Sequence, residues 1–243
     1  GLRPLHGRLS LGFANLDAFS RYDAADPTAA RFVEEDLNRL WDPAVLDGPR
    51  RSVELRRARA LRPLLDDADL LAELHSMFWP GDPLILSGGA EGALDLAMQL
   101  GEPPLVLADP GHAAATRLID YPPLARRGAA LLLEAGWHWE EATVARMERV
   151  ARRVLALAGV IPAPVPPPAV PPVLARVTHC IAARGTGFRF ARPFRSGEVV
   201  AGGTLLAEED GVPIHAPHPR TLVVMPNLLP QPGQTAVRLA ELE

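Results

Sequence analysis

Seven of the twelve residues from Ile161 to Pro172 are proline, and no helix or central strand can run through such a stretch. Each proline lacks a backbone N–H and holds φ near about −65°. The segment reads as a linker or an extended crossover, and it separates two kinds of pattern. Before it, short apolar stretches at Leu9 to Ala14, Asp69 to Leu74, Pro104 to Ala108 and Ala129 to Leu133 have the form of strands buried in a sheet. Helical spacing lies between them, in Leu55, Ala58, Leu61 and Leu65 and in Val144, Met147, Val150, Val154 and Leu157, with Gly89 to Leu100 a further helix and His112 to Ile119 a weaker one.

After the prolines come only short candidate strands punctuated by Gly and Pro: Val173 to Ile181, Gly187 to Ala191, Glu198 to Val200, Thr204 to Ala207, Thr221 to Met225 and Ala236 to Leu239. The expected fold class is therefore α/β, a mostly parallel or mixed sheet with helices on both faces, followed by a small all-β, barrel-like domain. The expected division is an α/β domain over 1–160, a linker over 161–172 and the β domain over 173–243. No repeat of fixed period interrupts this pattern.

Composition removes several reaction classes. All 25 basic residues are Arg and none is Lys, so there is no Schiff-base lysine, no Walker-type phosphate lysine and no lysine to carry biotin or lipoate. Arg-rich coding sequence explains the bias without any functional reason, and the exclusions hold either way. The net charge of −4 and scattered arginines argue against nucleic acid as a partner. No apolar run approaches the roughly 18 residues of a membrane span. Cys180 is alone, which rules out an intrachain disulfide and makes a reducing cytoplasm the simpler expectation. The chain begins at Gly1 without a signal-type segment, as the cut end of something longer would.

Three separated segments carry polar groups that make chemical sense together. His75 closes a predicted strand, and a neutral imidazole there can bind zinc if its second nitrogen is held; the bland alternative is a hydrogen-bonded structural histidine. Arg31, Asn38 and Arg39 fall within nine residues. One guanidinium can take a carboxylate through two parallel hydrogen bonds while another stabilises charge on a carbonyl oxygen. Alternatively, Glu34, Glu35 and Asp36 simply pair with these arginines in a solvated turn. Glu134 follows five apolar residues, where withdrawal from water raises a carboxylate's pKa and suits it to general acid–base work. His112 reads as a loop or helix-start residue, His138 as packing between Trp137 and Trp139, and His215 and His218 as turn residues. Ser87-Gly88-Gly89 lacks the spacing of a nucleophile elbow.

Arg31-Phe-Val-Glu-Glu-Asp-Leu-Asn-Arg39, Glu54-Leu-Arg-Arg-Ala58, Leu74-His75-Ser76 and Leu133-Glu134-Ala135-Gly136 occur in an order that resembles the succinylglutamate desuccinylase/aspartoacylase family, a zinc carboxypeptidase-like group. The resemblance covers Leu9 to about Leu157 and extends to a C-terminal β domain at Val173 to Glu243, including the Gly197-Glu-Val-Val-Ala-Gly202 turn. It implies hydrolysis of the amide of an N-acyl amino acid or similar small carboxylate, with one Zn2+ per chain lowering the pKa of bound water toward about 7. His75 would be the third zinc ligand, Glu134 the general base and acid, Arg31 the group polarising the scissile carbonyl, and Asn38 with Arg39 the anchor for the substrate carboxylate.

The family's other two ligands come from a His-x-x-Glu motif after a first strand some tens of residues upstream of Leu9, where this chain has too few residues to carry it, and His6 is no substitute because His6-Gly7-Arg8-Leu9 has no Glu. Glu73 stands where the family commonly has Asp, and neither Tyr22 nor Tyr121 matches the tyrosine some members supply from the β domain. The resemblance implies a small-molecule partner and leaves room for a homo-oligomer. A rival reading, motivated by the incomplete ligand set, is a relative without catalysis that binds a carboxylate ligand through Arg31 and Arg39 as a binding or scaffold protein.

Overall fold

The computed structural model describes residues 3–111, 115–162 and 166–243. Six α-helices, α1 (Leu16–Phe19), α2 (Pro43–Asp47), α3 (Val53–Asp66), α4 (Glu91–Leu100), α5 (Pro122–Arg127) and α6 (Glu141–Leu157), accompany strands β1 (Leu71–Met77), β2 (Leu84–Ser87), β3 (Leu105–Ala108) and β4 (Ala130–Trp137). The strands β5 (Val173–Ala182), β6 (Phe188–Phe190), β7 (Val199–Ala201), β8 (Leu205–Glu209), β9 (Val212–His215), β10 (Arg220–Val224) and β11 (Thr235–Leu242) follow. Eight of them form one mixed sheet in the order β1-β4-β2-β3-β5-β11-β10-β7, and β6-β8-β9 form a second.

The period of two in β4 sorts its side chains between two cores. Ala130 and Leu132 pack with Leu55, Ala58 and Leu65 of α3 and Leu124 of α5. Leu131, Leu133 and Ala135 pack with Ala97 and Leu100 of α4 and Val150 and Val154 of α6. Helices therefore cover both faces, as the sequence pattern implies. Helix α3 starts where Ser52 Oγ accepts from Leu55 N at 2.9 Å, a side-chain N-cap. The end of α5 can approach α4 because Gly128, at φ +61°, lies against Gly92; a Cβ on Gly128 would meet Gly92 Cα at 2.9 Å.

Strand β5 begins directly after the prolines and pairs in parallel with β3, so the sheet runs unbroken from the first strands to the last. Beyond β5 the pairing is antiparallel, and a separate core of Phe194, Val200, Leu206, Val223, Val237 and Leu239 fills the C-terminal segment.

Two expected elements do not form among the described residues. Leu9 to Ala14 is not a strand: Leu11 and Phe13 are 87% and 80% exposed, and the carbonyls of Phe13 and Ala14 accept from the Arg57 guanidinium. An apolar run becomes a strand only by pairing with another, and here the backbone carbonyls are taken by Arg57 instead. Of the weak helix at 112–119, residues 112–114, including His112, lie outside the described residues. The remainder is a β-bridge from Thr116 to Leu40 and a 3-10 turn over Leu118–Asp120. Tertiary tethers at Thr116 and Arg117 override the local helical spacing there.

Candidate functional site

Strands β1 and β4 are parallel neighbours, and their register sets His75 directly beside Glu134. Glu73, two residues before His75, shares its face of the strand, and His75 Nε2 lies 3.1 Å from Glu73 Oε2. Glu134 is buried, and its Oε2 has no hydrogen-bond partner among the described residues. Burial pushes the Glu134 carboxyl up from its ordinary value, and the neighbouring Glu73 charge adds to this against the opposing charges of His75, Arg238 and Arg31. For His75 burial acts downward, yet the Glu73 hydrogen bond and the charges of Glu73 and Glu134 carry the imidazole up to about 9. Both acids favour the charged form of the imidazole.

The segment carrying Arg31, Asn38 and Arg39 is fastened to α3 by Glu54. That buried carboxylate accepts from Val33 N at 2.6 Å, Glu34 N at 3.2 Å, Glu35 N at 3.3 Å and Asn15 Nδ2 at 3.1 Å. Asp36 then caps the 3-10 turn Leu37–Arg39 through Asn38 N and pairs with Arg31 Nη2 at 2.9 Å. Arg31 is largely exposed, and its charge is the smallest of the effects acting on His75, Glu134 and His138. Arg39 is drawn below its usual value by burial and by the charges of Arg238, Arg31 and Arg117, against Asp36. Its Nη1 donates to Asn38 O at 2.6 Å. The Asn38 side-chain oxygen accepts Leu118 N at 2.7 Å, so that atom ties two loops together.

Burial raises the Glu54 carboxyl, and the hydrogen bonds from Val33, Asn15 and Glu34 outweigh it, leaving the group below the ordinary glutamate value. A depressed folded-state pKa contributes stability that is present above the unfolded value of about 4.3 and is lost as pH falls through the folded one. Stability measured by denaturant titration is therefore expected to decline below about pH 4.3 in the natural chain and to decline less in Glu54→Gln. Parallel pH profiles in the two proteins would remove Glu54 from the acid response.

Sequence reading passed over the groups that connect this region to the C-terminal strands. Arg117 donates to Asp109 Oδ2 and to Asp120 Oδ2, each at 2.6 Å, and Arg238 on β11 pairs with the same Asp109 oxygen at 3.1 Å. Asp109, just after β3, and Arg238 on β11 are far apart in the chain, and no local motif marks them. A cavity of ≈ 280 Å³ opens beside Gly88, Gly89, Ala108, Asp109 and Arg176. It lies at the far end of the sheet from Glu134, because β2 and β3 run opposite to β4, and it takes in none of the sequence-selected residues. His138 accepts from or donates to Ser76 Oγ at 2.6 Å, His215 faces Gly203 O, and His218 meets Thr178 Oγ1. Cys180 is exposed and unbridged.

Zinc needs three protein ligands in a catalytic site of this type. Among the described residues no group of three His, Cys, Asp or Glu can hold a metal ion. The described residues alone therefore do not fit the ion.

No protein-family model matches the sequence, and no curated protein matches it. Solved structures do. Succinylglutamate desuccinylase from Vibrio cholerae superposes at a TM-score of 0.68 and 23% identity, over 89% of this chain and 68% of that one. The fold is that of the succinylglutamate desuccinylase/aspartoacylase structures. The Vibrio parahaemolyticus desuccinylase gives 0.67 at 19% identity, over 90% of this chain and 69% of that one. A succinylglutamate desuccinylase/aspartoacylase from Rhodobacter sphaeroides gives 0.64 at 18%, over 94% and 73%. Within this desuccinylase fold, no helix among the described residues is long and apolar enough to cross a membrane.

Proposed function

We propose that this chain is a deacylase of the succinylglutamate desuccinylase/aspartoacylase family, cleaving the amide of an N-acyl amino acid or a similar small carboxylate. The observation that carries this reading is the in-register pair His75 and Glu134, with the Glu134 pKa raised by burial. Glu134 takes a proton from the attacking water and passes it to the leaving nitrogen, so that the C–N bond breaks to a carboxylate and an amine. Arg31 stabilises the oxygen on which charge develops, and Arg39 with Asn38 holds the substrate carboxylate. In this reading residues 1–160 are the catalytic part and 173–243 the β domain. A zinc ion, one per chain, with His75 as a ligand, belongs to the same reading and requires two ligands from beyond the described residues.

The second reading, a carboxylate-binding relative without catalysis, is favoured by the incomplete ligand set among the described residues. One experiment separates them. Purified protein is assayed for amine release from N-acetyl and N-succinyl amino acids, with metal content measured in parallel. The deacylase reading expects turnover, about one zinc per chain and loss of activity on exhaustive chelation. Calorimetric binding of the same compounds without amine release selects the binder, and neither binding nor turnover sinks both.

A further inference from the structure

Glu54 is fully buried, carries a charge, and has no part in the proposed chemistry. A carboxylate at the first turn of a helix is ordinarily explained by the helix dipole. Its bonds go elsewhere. Both oxygens reach across to three consecutive backbone N–H groups 19 to 21 residues earlier in the chain, and Glu34 reciprocates by accepting Val53 N. The segment so gripped lies between Arg31 on one side and Asn38 with Arg39 on the other. Its far end is held by Asn38 to Leu118 N.

From this geometry we propose that Glu54 is a positioning residue: through the backbone of Val33 to Glu35 it sets where the Arg31 and Arg39 guanidinium groups stand relative to Glu134. A charged acceptor shared by several N–H groups fixes a loop that has no regular structure of its own to hold it. Neutral glutamine keeps one acceptor oxygen and offers a donor where the backbone already donates, so it cannot satisfy the same three amides. Aspartate keeps the charge but ends one methylene short. The inference rests on the deacylase reading for its kinetic consequence and on the hydrogen bonds alone for its structural one.

Glu54→Gln and Glu54→Asp are compared with the natural chain by amide hydrogen exchange and by N-acyl amino acid kinetics, rates being expressed per folded molecule. Exchange is expected to quicken in residues 31–39 while β1 and β4 stay protected. With it, kcat/KM is expected to fall by about 100-fold with a raised KM, the scale of a misplacement of about 1 Å. The aspartate variant decides the matter if the glutamine variant does not fold. Unchanged exchange at 31–39, or loosening spread evenly through α3 and β1 with KM unmoved, overturns the inference. If no N-acyl amino acid is cleaved by the natural chain, the deacylase reading fails separately. Exchange together with calorimetric binding of succinate then decides the role of Glu54, weaker succinate binding in the variants supporting it and equal binding refuting it.

Discussion

Replacing Glu134 with glutamine is expected to lower kcat by about 100-fold or more, the usual scale of general-base loss, while making the folded protein more stable at neutral pH. Both effects have one origin. The carboxyl is buried beside Glu73 with an oxygen that meets no hydrogen-bond donor among the described residues, and its pKa is raised above the ordinary value. A raised carboxylate pKa means that the native state holds the proton more tightly than the unfolded chain does. Ionisation therefore costs stability, and the cost grows as pH climbs past the unfolded value of about 4.3. A neutral amide escapes it, so the Tm of Glu134→Gln should exceed that of the natural chain at pH 7 and converge with it in acid. Steady-state kinetics and thermal melts at two pH values check both halves. An unchanged kcat removes Glu134 from the mechanism, and a lower Tm at every pH shows that the charge is better solvated than its burial indicates.

Arg117→Met is expected to cost about 3–5 kcal/mol of folding stability, the range for removing one partner from a buried ion pair. The Arg117 side chain is 4% exposed and faces Asp109, which is 1% exposed, and Asp120. Its Nη2 also donates to the Asp109 carbonyl at 2.9 Å. Methionine restores much of the volume but leaves Asp109 with Arg238 as its remaining ion-pair partner. Asp109→Asn combined with Arg117→Met should recover part of the loss, since it removes a buried carboxylate that has lost one of its guanidinium partners. Urea unfolding of the three variants measures this. A cost below about 1 kcal/mol would place the network with solvated surface pairs.

How much of this was legible depended on whether the signal was local. Strands β1 and β4 were legible because Asp69 to Leu74 and Ala129 to Leu133 are mostly apolar stretches of strand length, but that His75 and Glu134 would register side by side was not. The Arg31–Arg39 segment was visible as a motif, but not its fastening, since nothing in Val33, Glu34 or Glu35 announces that their N–H groups end on Glu54. Strand β2 is only four residues long and follows Pro83, and β9 contains Pro213, tolerable because β9 is an edge strand. Both therefore went unread. Arg238 and Asp109 were illegible for another reason: their meeting depends on β5 and β11 joining the sheet beyond β3. The stripe assigned to α6 began too early, because Val144 is exposed and packing starts further along the helix.

The two-residue alternation of β4 has a consequence for how such a chain can change. One inserted or deleted residue upstream of Glu134 in that strand would exchange its two faces, sending the carboxylate among Ile85, Val150 and Val154 and turning leucines toward α3. Only length changes in pairs would leave acid and oil on their proper sides. Single-codon indels in this strand should accordingly be as lethal to the core as to the chemistry.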